Sequence, residues 1–345
     1  WAERSNFGVR LADKSTDPCA PGGGSRREDV KGRRMAKAEG RDVIHRSPDN
    51  PILTLRDLPF QCSDIHNAAV LRHDDGFWFL ITVESLEGQY ALYLGRSRDG
   101  RRIQVDEQPF MRPARDETFA GYESLGVRDP RITALDGTYY ITYVAEGDHG
   151  HRIGLARTND FNTIERLGFL NQPDTKNGIL FPEKVKGRYA LLERPDESQS
   201  IWISYSDDLV YWGGATVVMT PRGGYWDADR IGAGPPPLLT EAGWLLIYYG
   251  VKETPGGPLF RLGAAILDRE NPARVISRCN IPILSPREPY ERIGDLPNLV
   301  FSCGALVEKD KTLSLYYAGS DSCLCLGTAP IDAIVRVCCE KSEVF

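Results

Sequence analysis

The sequence has no long apolar run. Its longest apolar stretches, such as Trp244 to Val251, fall far short of the roughly 18 residues a membrane span needs. It carries no excess of positive charge: 42 Lys+Arg against 48 Asp+Glu give a net charge of -6 over 345 residues. That balance gives no reason to expect nucleic acid or an anionic membrane surface as a partner. Cysteine is sparse, and none of Cys19, Cys62, Cys279, Cys303, Cys323, Cys325, Cys338 and Cys339 forms a CxxC pair. A disulfide scaffold is thereby excluded, and free buried thiols in a reducing compartment are expected. The five histidines do not sit at metal-ligand spacing; His149 and His151, flanking one glycine, read as a solvated loop. There is no nucleotide-binding glycine loop and no Ser-His-Asp order, so neither a metal nor a cofactor is implied. No stretch sustains a helical period, which excludes a coiled coil.

The first 34 residues lack apolar periodicity and contain PGGGSRRED and KGRR. They read as a flexible leader, with Met35 a candidate start and residues 35–345 forming one domain. With no apolar signal stretch, the expected location is cytoplasmic.

What is present is β-structure. From about Asn50 onward, aromatic and β-branched runs follow turn residues. Examples are Phe77 to Ile81, Thr138 to Tyr143, Trp244 to Tyr249 and Leu313 to Tyr317. A second pattern recurs at intervals of roughly 50 to 65 residues, the scale of one four-stranded propeller blade. A strand ending in small residues leads to an aspartate: Asp99, Asp160, the Asp207-Asp208 pair, Asp268 and Asp332. Five such units predict an all-β fold, a five-bladed β-propeller, with a β-sandwich as the alternative. A propeller gathers polar residues from distant segments onto its axis.

Three segments carry chemistry. In Gly126-Val127-Arg128-Asp129-Pro130-Arg131-Ile132-Thr133, an aspartate precedes a proline, which predicts extended backbone, and lies between two arginines that would lower its pKa. In Leu191-Leu192-Glu193-Arg194-Pro195, a carboxylate ends an apolar strand. In Ile231 to Pro237, glycine and proline density points to close backbone packing.

Together these segments resemble glycoside hydrolase family 130, the mannoside phosphorylases and β-mannosidases, from about Asn50 to Val335. GVRDPRIT is similar to the family's G-V-E-D-P-R-I-T. KNGILFPEKVKGRYALLERP and GAGPPPLLTEAGWLLIYYGV are similar to its later motifs. The resemblance implies a β-mannoside oligosaccharide substrate and a propeller. Asp129 matches the family's catalytic acid, which protonates the leaving oxygen in an inverting reaction. Phosphorylases of the family have basic residues where this chain has Glu193 and Tyr249. A carboxylate repels phosphate but can deprotonate water. The expectation is therefore an inverting β-mannosidase, acting on β-1,2-mannosides, with Asp129 as acid, Glu193 as base and Tyr249 orienting water or sugar. Asn67, Arg131 and Asp321 are expected to bind mannose hydroxyls, with Tyr122 and Trp226 as candidate stacking platforms. Lys184 and Arg194, with Lys176 nearby, keep open the alternative of a phosphorylase producing mannose 1-phosphate. A non-catalytic sugar-binding propeller is the third reading. Arg128 departs from the family's glutamate and would hold Asp129 ionised.

Overall fold

A computed structural model describes residues 42–340, apart from Asp74 and Glu117. The leader at 1–34, Met35 and Cys19 lie outside the described residues. Among the described residues the structure is all-β but for two helices and one 3-10 turn. In chain order the elements are a short first strand, β1 (His45–Arg46), then five consecutive antiparallel groups. The first group is β2 (Asp64–His73), β3 (Gly76–Glu84), β4 (Tyr90–Ser97) and β5 (Gln104–Val105). The second is β6 (Gly126–Leu135), β7 (Thr138–Gly147), β8 (Gly150–Thr158) and β9 (Glu165–Phe169). The third is β10 (Thr175–Leu180), β11 (Tyr189–Pro195), β12 (Ile201–Ser206) and β13 (Gly213–Met219). The fourth runs β14 (Arg230–Ala233), β16 (Gly243–Thr254), β17 (Gly257–Leu267) and β18 (Val275–Arg278) as its four successive strands, with the short β15 (Leu238–Thr240) also paired to β16 and outside that order. After helix α1 (Pro289–Arg292) the fifth brings β19 (Val300–Val307), β20 (Thr312–Gly319) and β21 (Cys323–Pro330), followed by helix α2 (Ile331–Cys339).

The fifth group has only three consecutive strands. Its fourth is β1, which pairs antiparallel with β21 through His45↔Thr328 and Arg46↔Gly327. Groups one and two are joined into one sheet by a single parallel pair, Tyr90↔Gly126. The second strand of each group reads as a continuous apolar run rather than an alternating one because both its faces are covered. In β16 the first nine residues are all buried.

The recurrent aspartate has a local cause. Asp99 accepts from the backbone N–H of Arg101 and Arg102, both at 2.9 Å. Asp160 does the same with Asn162 and Thr163, Asp208 with Val210 and Tyr211, and Asp268 with Glu270 and Asn271. Each side chain caps the tight turn between the third and fourth strands of its group. Asp332 is the exception: it lies in the first turn of α2. The physical reason is that β1 supplies the fourth strand there, so no turn back is made.

One expectation about cysteine is corrected. Cys279, Cys303, Cys323, Cys325 and Cys338 are free and buried, and Cys62 is free and half-buried. Cys339 is disulfide-bonded. It is half-buried at the end of α2. Among the described residues, no helix is long and apolar enough to cross a membrane.

Candidate active site

The first strands of four groups carry an irregularity at the same level. Register shifts interrupt β2 between Ile65 and Ala68, β6 between Arg128 and Arg131, β10 between Lys176 and Ile179, and β19 between Phe301 and Gly304. Such bulges re-aim side chains. Here they turn His66, Asn67, Arg128, Asp129, Lys176, Asn177 and Phe301 into one cavity of about 390 Å³. Arg194 and Asp196 of the third group, Arg230 and Tyr249 of the fourth, and Asp295 and Asp321 of the fifth complete its polar lining. A wider groove of about 1400 Å³ lies elsewhere, lined by Asp49, Arg96 and Arg101 among others. Its charges largely neutralise one another, Arg101 pairing with Asp49 and Arg96 with Asp106.

Asp129 does not have the extended backbone expected before a proline. Its φ is 53°, in the left-handed region, which aspartate tolerates better than most residues. Two contacts hold it there: its N–H donates to Thr82 Oγ1 at 3.0 Å, and its carbonyl accepts from Arg131 Nη1 at 2.7 Å. The carboxylate accepts from Asn67 Nδ2 at 2.7 Å and from Arg128 Nη1 at 3.3 Å. Burial pushes its pKa up, but Arg128, Arg131, the Asn67 amide and His66 together hold it below the usual carboxylate range. Asp321, also at positive φ, is the opposite case. Burial pushes it up to about 6, against the pull of His66, whose Nδ1 lies 4.0 Å away. Asn67 Oδ1 and Asp321 Oδ1 are buried without a hydrogen-bond partner.

The cavity is lined by charge. The third and fourth groups bring Lys176, Arg194 and Arg230 to it, with Asp196 paired to Arg194 at 2.5 Å; the others bring Asn67, Arg128, Asp129, Asp295 and Asp321. Arg194 Nε donates to Asn177 Oδ1 at 3.2 Å, and the Tyr249 hydroxyl donates to the same oxygen at 2.9 Å. Gly232 makes room for that tyrosine, since a Cβ there would lie 2.5 Å from its ring. Burial, then Arg128 and Arg194, lower the pKa of Lys176. A desolvated ammonium crowded by two guanidinium groups favours an incoming anion.

Three expected site residues are not in the lining. Glu193 precedes Arg194 on β11, and adjacent strand residues face opposite ways. Arg194 enters the cavity, and Glu193 packs between sheets, where burial pushes it up to about 7 against the Ser204 hydroxyl. Lys184 sits in the β10–β11 connection just before the turn at Lys186-Gly187, 37% exposed, paired with Asp136 at 3.4 Å. Arg131 lies beneath the cavity, where its Nε donates to Gly234 O at 3.1 Å and ties the second group to the fourth. Tyr122 and Trp226 are also elsewhere, packed on Phe169 and Tyr248. The aromatic lining is Tyr90, Tyr249, Phe260 and Phe301. His66 and Asp196 escaped notice in the sequence because only the folded chain brings them to Asp129 and Arg194.

A family model described as beta-1,4-mannooligosaccharide phosphorylase matches residues 61–340. A 1,2-beta-oligomannan phosphorylase from Thermoanaerobacter sp. (strain X514) is 36% identical over 81% of this chain and 94% of its own length. A beta-1,4-mannooligosaccharide phosphorylase from Ruminococcus albus is 32% identical over 89% of this chain and 94% of its own. The solved beta-1,2-mannobiose phosphorylase from Listeria innocua, in complex with beta-1,2-mannobiose, superposes with a TM-score of 0.78 at 28% identity. It covers 86% of this chain and 99% of that one. The expectation of a hydrolase is overturned. These relatives are phosphorylases, and the carboxylate assigned to activate water lies outside the cavity.

Proposed function

The chain belongs to glycoside hydrolase family 130, and on that premise we propose that it is a β-mannoside phosphorylase. Its reaction would take a β-mannoside oligosaccharide and inorganic phosphate to mannose 1-phosphate and a shortened sugar. The observation that carries this reading is the cationic cluster in the cavity: desolvated Lys176 with Arg194 and Arg230, in the same lining as Asp129, Asp321 and Asn67. Cations bind the phosphate; carboxylates and amides bind mannose hydroxyls.

Asp129 is the acid. A phosphate oxygen forms a bond to the anomeric carbon as the glycosidic C–O bond breaks, with inversion, and the leaving oxygen takes a proton under the control of Asp129. Arg128 and Arg131 hold the Asp129 pKa below the usual carboxylate range. Phosphate bound nearby offsets those cations, and burial then favours the protonated acid. Tyr249 and Arg194, both on Asn177, frame the phosphate; Asn67 and Asp321 hold the mannose. We read the five antiparallel groups as blades of a five-bladed propeller, with β1 completing the last. In support, each group contributes residues to the one cavity.

The test is product analysis with β-1,2- and β-1,4-mannobiose, with and without phosphate. Mannose 1-phosphate formed only with phosphate is the expected result. Free mannose formed at the same rate without phosphate overturns the reading.

A further inference from the structure

Glu146 is the penultimate residue of β7 and lies outside the cavity lining. On the β6–β7 ladder it stands opposite Gly126, while Arg128 stands opposite Val144 two pairs further on. Glycine offers no side chain there, so Arg128 reaches diagonally across it to Glu146. Arg128 Nε donates to Glu146 Oε2 at 2.8 Å, and its Nη2 lies 2.6 Å from the same oxygen. Nη1 is left for Asp129, at 3.3 Å. The guanidinium is thus held nearer to Glu146 than to the acid beside it. Lys176 from β10, His151 from β8 and Tyr90 from β4 also face Glu146. His151, expected in a solvated loop, is the second residue of β8 and buried. Facing Asp129 are Arg128 and Arg131 from β6, His66 and Asn67 from β2, Asp321 from the β20–β21 turn and Cys303 from β19.

An acid must carry a proton, and an adjacent guanidinium opposes that. The more strongly Arg128 is drawn to another anion, the weaker that opposition becomes. We propose that Glu146 is a positioning residue for the acid: it draws Arg128 onto itself and so leaves Asp129 able to hold the proton it gives up. Glu146 touches neither sugar nor phosphate. It acts through Arg128, and its loss hands the whole guanidinium to Asp129. The acid is then ionised at pH values where the wild type still keeps a protonated fraction. This inference rests on the reading of Asp129 as the acid, whichever nucleophile follows.

The experiment follows kcat/KM for mannobiose against pH, read as loss of mannobiose at saturating phosphate. It uses wild type, Glu146→Gln, Arg128→Gln and the variant carrying both. Glu146→Gln should lower kcat/KM about tenfold at pH 7 and recover toward wild type as pH falls, because the basic limb moves to lower pH. KM for phosphate should rise by no more than about twofold. With Arg128→Gln already in place, Glu146→Gln should change kcat/KM by less than about twofold, since no guanidinium is left to release. A Glu146→Gln profile that drops equally at every pH overturns the inference. So does an unmoved limb, or a double variant that loses tenfold relative to Arg128→Gln. Glutamine keeps the shape at this partly exposed site, and the double variant tests the coupling by itself. Free mannose formed without phosphate sinks the phosphorolytic reading and leaves this inference standing, since both reactions need the same acid. Wild-type turnover in Asp129→Asn sinks the acid and this inference with it. A wild type that consumes neither β-1,2- nor β-1,4-mannobiose sinks both readings.

Discussion

Replacing Glu193 by Gln separates a buried structural carboxyl from a catalytic base. The carboxyl titrates at about 7 in the folded protein against an ordinary 4.5. A gap of about 2.5 in pKa corresponds to about 3.4 kcal/mol. The folded-state value is raised, so the folded protein holds this proton more tightly than the unfolded chain. The contribution is fully present below pH 4.5 and is lost as pH rises through 7. Between pH 5 and pH 8 the penalty for ionising Glu193 grows from about 0.8 to about 3.3 kcal/mol. Glutamine keeps the shape without the charge. Glu193→Gln should therefore gain about 2.5 kcal/mol relative to wild type between those two pH values, or about 5 °C in Tm for a domain of this size. Urea and thermal unfolding of both proteins at pH 5 and pH 8 measure the difference. Phosphorolysis, assayed in parallel, should stay within about threefold of wild type. A hundredfold loss of turnover with no pH-dependent difference in stability would refute the reasoning and return Glu193 to the chemistry.

Asp129→Asn should lower turnover by about 10³-fold or more, while calorimetry still detects phosphate and mannobiose binding. Retained turnover removes the acid assignment. Arg128→Gln removes a charge 3.3 Å from Asp129, worth about 5 kcal/mol at an effective dielectric of about 20. With that cation gone the Asp129 pKa should rise and carry the basic limb of the kcat/KM profile upward with it; an unmoved limb refutes the coupling. Lys176→Met should raise KM for phosphate at least about tenfold, whereas Lys184→Met should leave it within about twofold. Equal losses in the two would place phosphate elsewhere.

Where the sequence was informative, the cause was local. The Asp turns could be read because the carboxylate caps amides two and three residues on. Asp332 misled because the strand it would have led to comes from the other end of the chain. The aim of the site side chains was hidden, since it depends on bulges that only strand pairing creates. Asp129 before Pro130 reads as extended until Thr82 and Arg131 are seen holding it otherwise. Glu193 shows what strand alternation decides: with Arg194 committed to the cavity, its neighbour faces away. The hairpin position of Lys184 did have a signal, the Lys186-Gly187 turn with both residues at positive φ. Nothing in the sequence joins Arg128 to Glu146, which meet only through the register of β6 on β7.

The pairing of β1 with β21 has a consequence for how the chain comes off the ribosome. His45 and Arg46 are made before every other strand described, yet their partners Thr328 and Gly327 lie in the last of them. Every other group can zip up from neighbouring strands as it emerges. The fifth must recruit a strand left idle while the other four groups are made, and until it docks β21 presents an open edge on which another nascent chain can template. Docking then brings Arg46 to within 2.7 Å of buried Glu291, neutralising a carboxylate that has no exposure to water. The first and last strands thus act as a latch, and assembly intermediates would accumulate with that latch undone.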